Sequence, residues 1–285
     1  MKRLFLATLT SIGIWLSIAL LYTNAYGGQQ EFNSVLMEST FKIVGMATPD
    51  PSTKQPRSSV GTAFLVGRPK KADPSHSTIV MVTAGHVVDE IVGDDAFIIL
   101  RKKNADGSFT RLPHQIKIRD KGSPLFVHHP VADVVAMYIS VPDNVELTLA
   151  PTSLLAEDKD FEHFEIHPGD ELLCLGYPLG VEASEAGFPI LRSGKIASYP
   201  ITPAKKVKSF LYDFRVFPGN SGGPVYFYQS NRTYEGKTHL GETIQFIAGL
   251  VSEQSYQPQS KEPLILAVVV PAQFILETVN LLPEK

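Results

Sequence analysis

The sequence predicts an all-β protein, and three observations carry that expectation. Apolar runs of strand length recur along the chain, among them Thr78–Val82, Ala96–Leu100 and Val134–Ile139. Turn residues such as Asn104-Ala105-Asp106-Gly107 separate such runs at short spacing. Helix-period runs are few, and the clearest, Pro271 to Leu282, stands last. With the leader set aside, roughly 260 residues remain, enough for one composite domain or two small ones.

The chain opens on Met1-Lys2-Arg3, an apolar run from Leu4 to Leu21 and a small, polar stretch from Tyr22 to Gly28. This reads as a signal peptide over residues 1–27, with cleavage after Ala25 or Gly27. The rival reading is an uncleaved membrane anchor, because the run approaches bilayer-spanning length. Either way the remainder is expected to be exported, to the periplasm or beyond, and to touch a membrane only if the leader stays. Glu31 to Thr40 fits a short helix or an extended arm. Phe41 to Met46 is a first strand, Pro49 to Ser59 a polar loop, Val60 to Val66 a second strand and Gly67 to Ser77 another loop. Pro142 to Pro168 is rich in Pro, Asp and Glu without a clean period, and marks a junction. Pro271 to Leu282 is an amphipathic helix that starts at a proline, with Phe274, Ile275, Val279 and Leu282 on one face.

Composition narrows the function classes. A net charge of −3 implies neither a nucleic-acid-binding face nor a polyanion. The single cysteine, Cys174, lies among leucines and reads as a buried structural thiol. With no intramolecular disulfide to lean on, an exported chain must rest on its core.

The chemistry concentrates in Phe217-Pro218-Gly219-Asn220-Ser221-Gly222-Gly223-Pro224-Val225. Glycines around a serine let the backbone take positive φ and let another group come close. A nucleophilic serine needs both, so that its Oγ protrudes and backbone N–H groups face the developing oxyanion. Gly219 and Ser221 are the natural oxyanion donors. Such a stretch is also an ordinary turn between strands, so the partners decide. Thr83-Ala84-Gly85-His86 follows the apolar run Thr78–Val82 and presents a histidine at a strand end. Asp133 opens the apolar run Val134–Ile139, and a buried carboxylate there needs a hydrogen-bond donor such as an imidazole N–H. The order is His86, Asp133, Ser221.

With these motifs the chain resembles the trypsin/chymotrypsin-like serine peptidases, and more closely the bacterial Deg/HtrA-type protease domains. Val60-Gly61-Thr62-Ala63-Phe64, Gly176-Tyr177-Pro178-Leu179-Gly180, Gly249-Leu250-Val251-Ser252 and Ala267 to Pro271 agree with the same pattern. The resemblance implies two six-stranded antiparallel β-barrels and a C-terminal helix. It spans residues 36–282, with a first barrel over about 36–142, a second over about 168–270 and the helix over 271–282. It implies a serine endopeptidase with polypeptide substrates, a His86–Asp133–Ser221 triad, an oxyanion hole at Gly219 and Ser221, and no metal or cofactor. No PDZ module follows the domain, so the substrate capture that such modules perform is not carried over.

Two departures are informative. Ile43-Val44-Gly45 after Lys42 looks like a zymogen cleavage site, whose freed amine would pair with an aspartate just before the serine. Asn220 holds that place, so Ile43 and Val44 are read as plain strand residues. With no such ion pair, the oxyanion turn could also wait for a ligand before it forms. The resemblance further places part of the primary substrate pocket at Arg215, Val216, Phe217 and Ser252. Arg215 would favour acidic side chains if it turns inward, and strand alternation could equally turn it out.

Other candidates weigh less. His163 and His167 are four apart beside Glu162 and Glu165, but Pro168 follows and no further ligand gathers there. His128 and His129 precede Asp133 and compete with His86 for the role of base. A second class of function remains open: a proteolytically silent, extracytoplasmic peptide-binding or sensor module on the same fold. A small-ester hydrolase is a third.

Overall fold

The computed structural model describes residues 31–256 and 263–284, so the leader reading lies outside the described residues. None of the described helices is long and apolar enough to cross a membrane.

Helix α1 (Phe32–Ser39) settles the first ambiguity. The Glu31 carboxylate accepts from the Asn33 and Ser34 N–H groups at its N-terminus. Phe32, Val35, Leu36 and Ser39 recur at helical spacing and are buried. The chain then runs β1 (Thr40–Ala47), β2 (Arg57–Pro69), β3 (Ser77–Thr83), α2 (Gly85–Asp89), β4 (Asp95–Lys103) and β5 (Phe109–Lys117). Next come β6 (Arg119–Asp120), β7 (Ser123–Pro124), β8 (Val127–His128) and β9 (Val135–Tyr138). The junction holds β10 (Ala150–Pro151) and α3 (Asp158–His163). The second half is β11 (Glu171–Gly176), β12 (Ile190–Ile196), α4 (Ala204–Val207), β13 (Phe210–Asp213), β14 (Pro224–Tyr234), β15 (Lys237–Tyr256), β16 (Pro263–Pro271) and α5 (Ala272–Leu281).

The second half closes as expected, into a six-stranded barrel in the order β11-β12-β13-β16-β15-β14. The first half differs from the expected six-stranded barrel. It is an eight-stranded sheet in the order β5-β4-β1-β2-β3-β9-β8, with β10 paired to β2. Its outer strands explain the opening. Strand β5 carries Pro113, which has no N–H to offer a further strand, and β8 is only two residues long. A side chain bridges the gap instead, with His114 Nε2 3.1 Å from the Ser140 carbonyl. Ile43 sits inside this sheet between Gly61 and Ile98, while Lys42 pairs with Glu182. These are strand residues, as read.

The junction is less of a linker than its composition suggests. Ala150 pairs in parallel with Val66 of β2, and Leu155 bridges to Ile247 of β15, so the crossing segment is stitched to both halves. Phe274, Ile275, Val279 and Leu282 join a core that holds residues of both halves, among them Val82 and Met137 of the first and Tyr226, Ile247 and Leu250 of the second. Arg68 Nη1 holds the Leu282 carbonyl at 2.9 Å and the Tyr138 hydroxyl holds that of Pro283 at 2.7 Å. Cys174 is buried in the second core, where desolvation pushes its thiol up to about 12. Its thiolate is thereby suppressed.

Arg101 locks the two halves. Only 4% exposed, its guanidinium lies between the rings of Phe41 and Phe188, 4.3 and 4.4 Å from their centroids. It donates to the carbonyls of Met37, Glu38 and Thr40 at the end of α1 and to the Gly187 carbonyl in the second half. A buried cation is costly unless its donors are satisfied, and here four carbonyls and the Tyr177 hydroxyl satisfy them. Arg101→Met removes these donors and strands the carbonyls. It is expected to lower unfolding free energy by about 3 kcal/mol, read as a shifted denaturant midpoint at constant slope.

Candidate active site

His86 is delivered by the end of β3. Thr83 is the last ladder residue, paired with Ala63 and Val135, and α2 begins at Gly85. Asp133 stands at the entry to β9, two residues before Val135. The Asp133 carboxylate collects three donors. Oδ1 accepts from the His86 backbone N–H at 3.0 Å, while Oδ2 accepts from His86 Nδ1 at 2.8 Å and from Ser252 Oγ at 2.5 Å. Burial alone would raise the Asp133 pKa, but these bonds and the His86 charge lower it to about 2. Burial likewise works against a charged His86. The hydrogen bond and the charge of Asp133 outweigh it, with smaller help from Glu90 and Glu253, and leave His86 above its ordinary value. The Nδ1–H bond to the carboxylate leaves Nε2 as the basic nitrogen.

Ser221 comes from the second half, in the turn between β13 and β14. Thr62 of β2 holds that turn from across the interface. The Thr62 N–H donates to the Ser221 carbonyl at 2.8 Å, and its Oγ1 donates to the Gly219 carbonyl at 2.6 Å. The Thr62 carbonyl in turn accepts from Thr83 Oγ1 at 2.7 Å, three residues before His86. A second route runs through Gly222, whose N–H donates to the Val251 carbonyl at 2.7 Å. Val251 precedes Ser252, which holds Asp133. At Gly222, with φ of +86°, a Cβ would land on the Thr62 carbonyl oxygen, so glycine is required by both conformation and space. Two chains of contacts thus tie the turn that carries Ser221 to the segments that carry His86 and Asp133. Among described residues the Ser221 hydroxyl takes no hydrogen-bond partner. A Ser–His bond that is loose without substrate is common in such sites.

The turn before Ser221 has defined geometry. The Pro218 carbonyl accepts from Leu179 N at 2.7 Å and the Asn220 carbonyl from Gly223 N at 2.9 Å. In a trans peptide the next N–H points the opposite way, so the Gly219 N–H points away from Leu179 and the Ser221 N–H away from Gly223. Among described residues neither meets an acceptor. Asn220 is 1% exposed, and its Oδ1 accepts from Phe217 N at 2.9 Å. A neutral amide fixes the turn where a zymogen-type enzyme would use an ion pair.

The other sequence-read positions fall differently. Val216 is buried in the second core, Phe217 is half-buried, and Ser252 is spent on Asp133. Arg215 is exposed, with its guanidinium 5.0 Å from the centroid of the Phe217 ring. His128 reaches Asp89, and His129 reaches Glu277 on α5, so neither competes with His86 for Asp133. His163 pairs with Glu235 and His167 with Asp170. Among the described residues no three His, Cys, Asp or Glu side chains gather as metal ligands. Sequence reasoning missed the Thr62 clamp and the bond from Ser252 to Asp133. The first sat inside a strand motif already noted, but nothing local pointed across the interface.

A family profile described as a trypsin-like peptidase domain matches residues 61–232, which include positions 86, 133 and 221. Among solved structures, the crystal structure of protease Anisep from Arthrobacter nicotinovorans aligns with 86% of this chain and 95% of its own. Identity there is 12% and the TM-score 0.48. No curated protein matches the chain.

Thr62→Val keeps the shape of the side chain and removes its hydroxyl from the Gly219 carbonyl. It is expected to cost about 2 kcal/mol of stability, measured by denaturant unfolding, with Thr62→Ser recovering most of the loss.

Proposed function

The chain belongs to the trypsin-like peptidase family, and from that premise we propose that it is a serine endopeptidase of exported proteins, acting through His86, Asp133 and Ser221 and an acyl-enzyme. The observation that carries the reading is the Asp133 carboxylate, held by three donors and fastened to His86 at two points. A binding module has no use for an imidazole locked in one tautomer by a buried carboxylate. The leader-like run Leu4 to Leu21 supports export.

The steps follow from the geometry. Asp133 stays ionised, keeps the proton on His86 Nδ1 and stabilises the imidazolium. His86 Nε2 takes the Ser221 Oγ proton as Oγ attacks a substrate carbonyl. The oxyanion falls to the Gly219 and Ser221 N–H groups, which cost no reorganisation because the Pro218 and Asn220 carbonyls are already engaged. His86 then gives its proton to the leaving amine. Water, deprotonated by the same nitrogen, releases the acid product and restores Ser221. No metal or cofactor takes part in these steps.

Ser221→Ala is expected to abolish casein cleavage and fluorophosphonate labelling while leaving the unfolding midpoint in place. Parent-level cleavage by that variant would overturn the assignment, as would a folded parent that takes no label. Asp133→Asn is expected to lower kcat by about 10⁴-fold, because the tautomer is then wrong. The base must be neutral, and its pKa is raised. Activity should therefore fall as pH drops, with the acid limb of kcat/KM centred above the ordinary imidazole value of about 6.5. A midpoint at or below that value would contradict the role given to Asp133.

A further inference from the structure

The segment that leads into Ser221 carries an unusual charge. Along β12, Ile190, Arg192 and Gly194 are half-buried while Leu191, Ser193 and Lys195 are exposed, so Arg192 lies on the inward row. Its guanidinium sits 4.1 Å from the centroid of the Phe214 ring and 5.8 Å from that of Phe217. Nη1 donates to the Arg215 carbonyl at 2.8 Å. Arg215 places a second guanidinium at the same Phe217 ring, 5.0 Å from its centroid. Two cations thus share one aromatic ring in the run Phe214 to Phe217, four residues from Ser221.

Other arginines of the described residues, buried or not, are spent. Arg101 is consumed by carbonyls, Arg232 by Asp170, Arg111 by Glu182 and Arg119 by the carbonyls of Val88, Ile91 and Gly93. Arg192 uses one of its five N–H donors, and among described residues neither it nor Arg215 has a carboxylate partner. Among the described residues the two cations at one ring have no anion between them to offset their charge, and a guanidinium stacked on a ring is already partly desolvated. Both features favour an anion that would lie across the pair, and a carboxylate fits the guanidinium fork.

The family resemblance places the side chain of the residue whose carbonyl Ser221 would attack beside the segment that carries the serine. Resting on the peptidase reading above, we propose that Arg192, backed by Arg215, makes this enzyme select aspartate or glutamate on the acyl side of the scissile bond. The residue read from sequence as the pocket cation, Arg215, is the outer partner. The inner one comes from a neighbouring strand, and the carbonyl of Arg215 holds it in place.

The test uses peptides identical except for Glu or Gln at that position. The parent should cleave after Glu with kcat/KM about tenfold or more above Gln. Arg192→Met should bring the ratio to about one, Arg192→Lys should keep part of it, and Arg215→Ala, an exposed change, should reduce it. Fluorophosphonate labelling of each variant reports whether its site is assembled. A parent ratio of one or less, in protein that takes the label and cleaves after neutral residues, overturns this inference and leaves the peptidase reading intact. Absence of both labelling and cleavage of every peptide overturns both. Should Arg192→Met not label, an unchanged ratio in Arg192→Lys together with an unchanged ratio in Arg215→Ala would also overturn it.

Discussion

Thr62 is the point on which the site depends. Its backbone N–H, hydroxyl and carbonyl all make inter-strand or inter-half bonds: to the Ser221 carbonyl, the Gly219 carbonyl and the Thr83 hydroxyl. The residue is fully buried, so no water competes for these groups, and each would be costly to leave unmade. Ser221 and His86 are contributed by different halves of the chain. Their relative position is only as good as the joint between the halves, and Thr62 lies in that joint. Arg101 performs a comparable service farther from the chemistry, through α1 and Gly187.

The electrostatic design is economical. Buried carboxylates are expensive, and Asp133 is held ionised by donors from both halves: His86 from the first and Ser252 from the second. The same bond that satisfies Asp133 fixes the imidazole. Ser252 follows Val251, whose carbonyl and N–H pair with Gly222 and Gly223 beside the nucleophile. One short stretch of β15 therefore sets the acid and the serine turn together.

Much of this was legible in the sequence, for a physical reason. A serine between glycines, a histidine at a strand end and an aspartate opening an apolar strand are each locally odd, and each oddity has few chemical uses. The closed second barrel followed from the family resemblance, and the strand reading of Ile43 and Val44 from the uncharged Asn220 before the serine. What was not legible depended on distance. The Thr62 hydroxyl meets a carbonyl 157 residues away, and nothing in Val60-Gly61-Thr62 distinguishes a strand threonine from a clamp. Arg101 ends an apolar strand as a solvent-facing charge commonly does, yet it is buried. Arg192 lies in an ordinary strand, and only barrel closure places it beside Phe214. The ladder of the first half has eight strands where six were expected, and it ends at β5, which carries Pro113, and at the two-residue β8.

The course of α5 has a consequence for order of assembly. A polypeptide grows from its amino end, so every strand of the first core exists well before residues 272–281 are made. Those residues nevertheless supply Phe274, Ile275 and Val279 to that core. That core, which joins residues of both halves, therefore stays incomplete until the latest helix arrives.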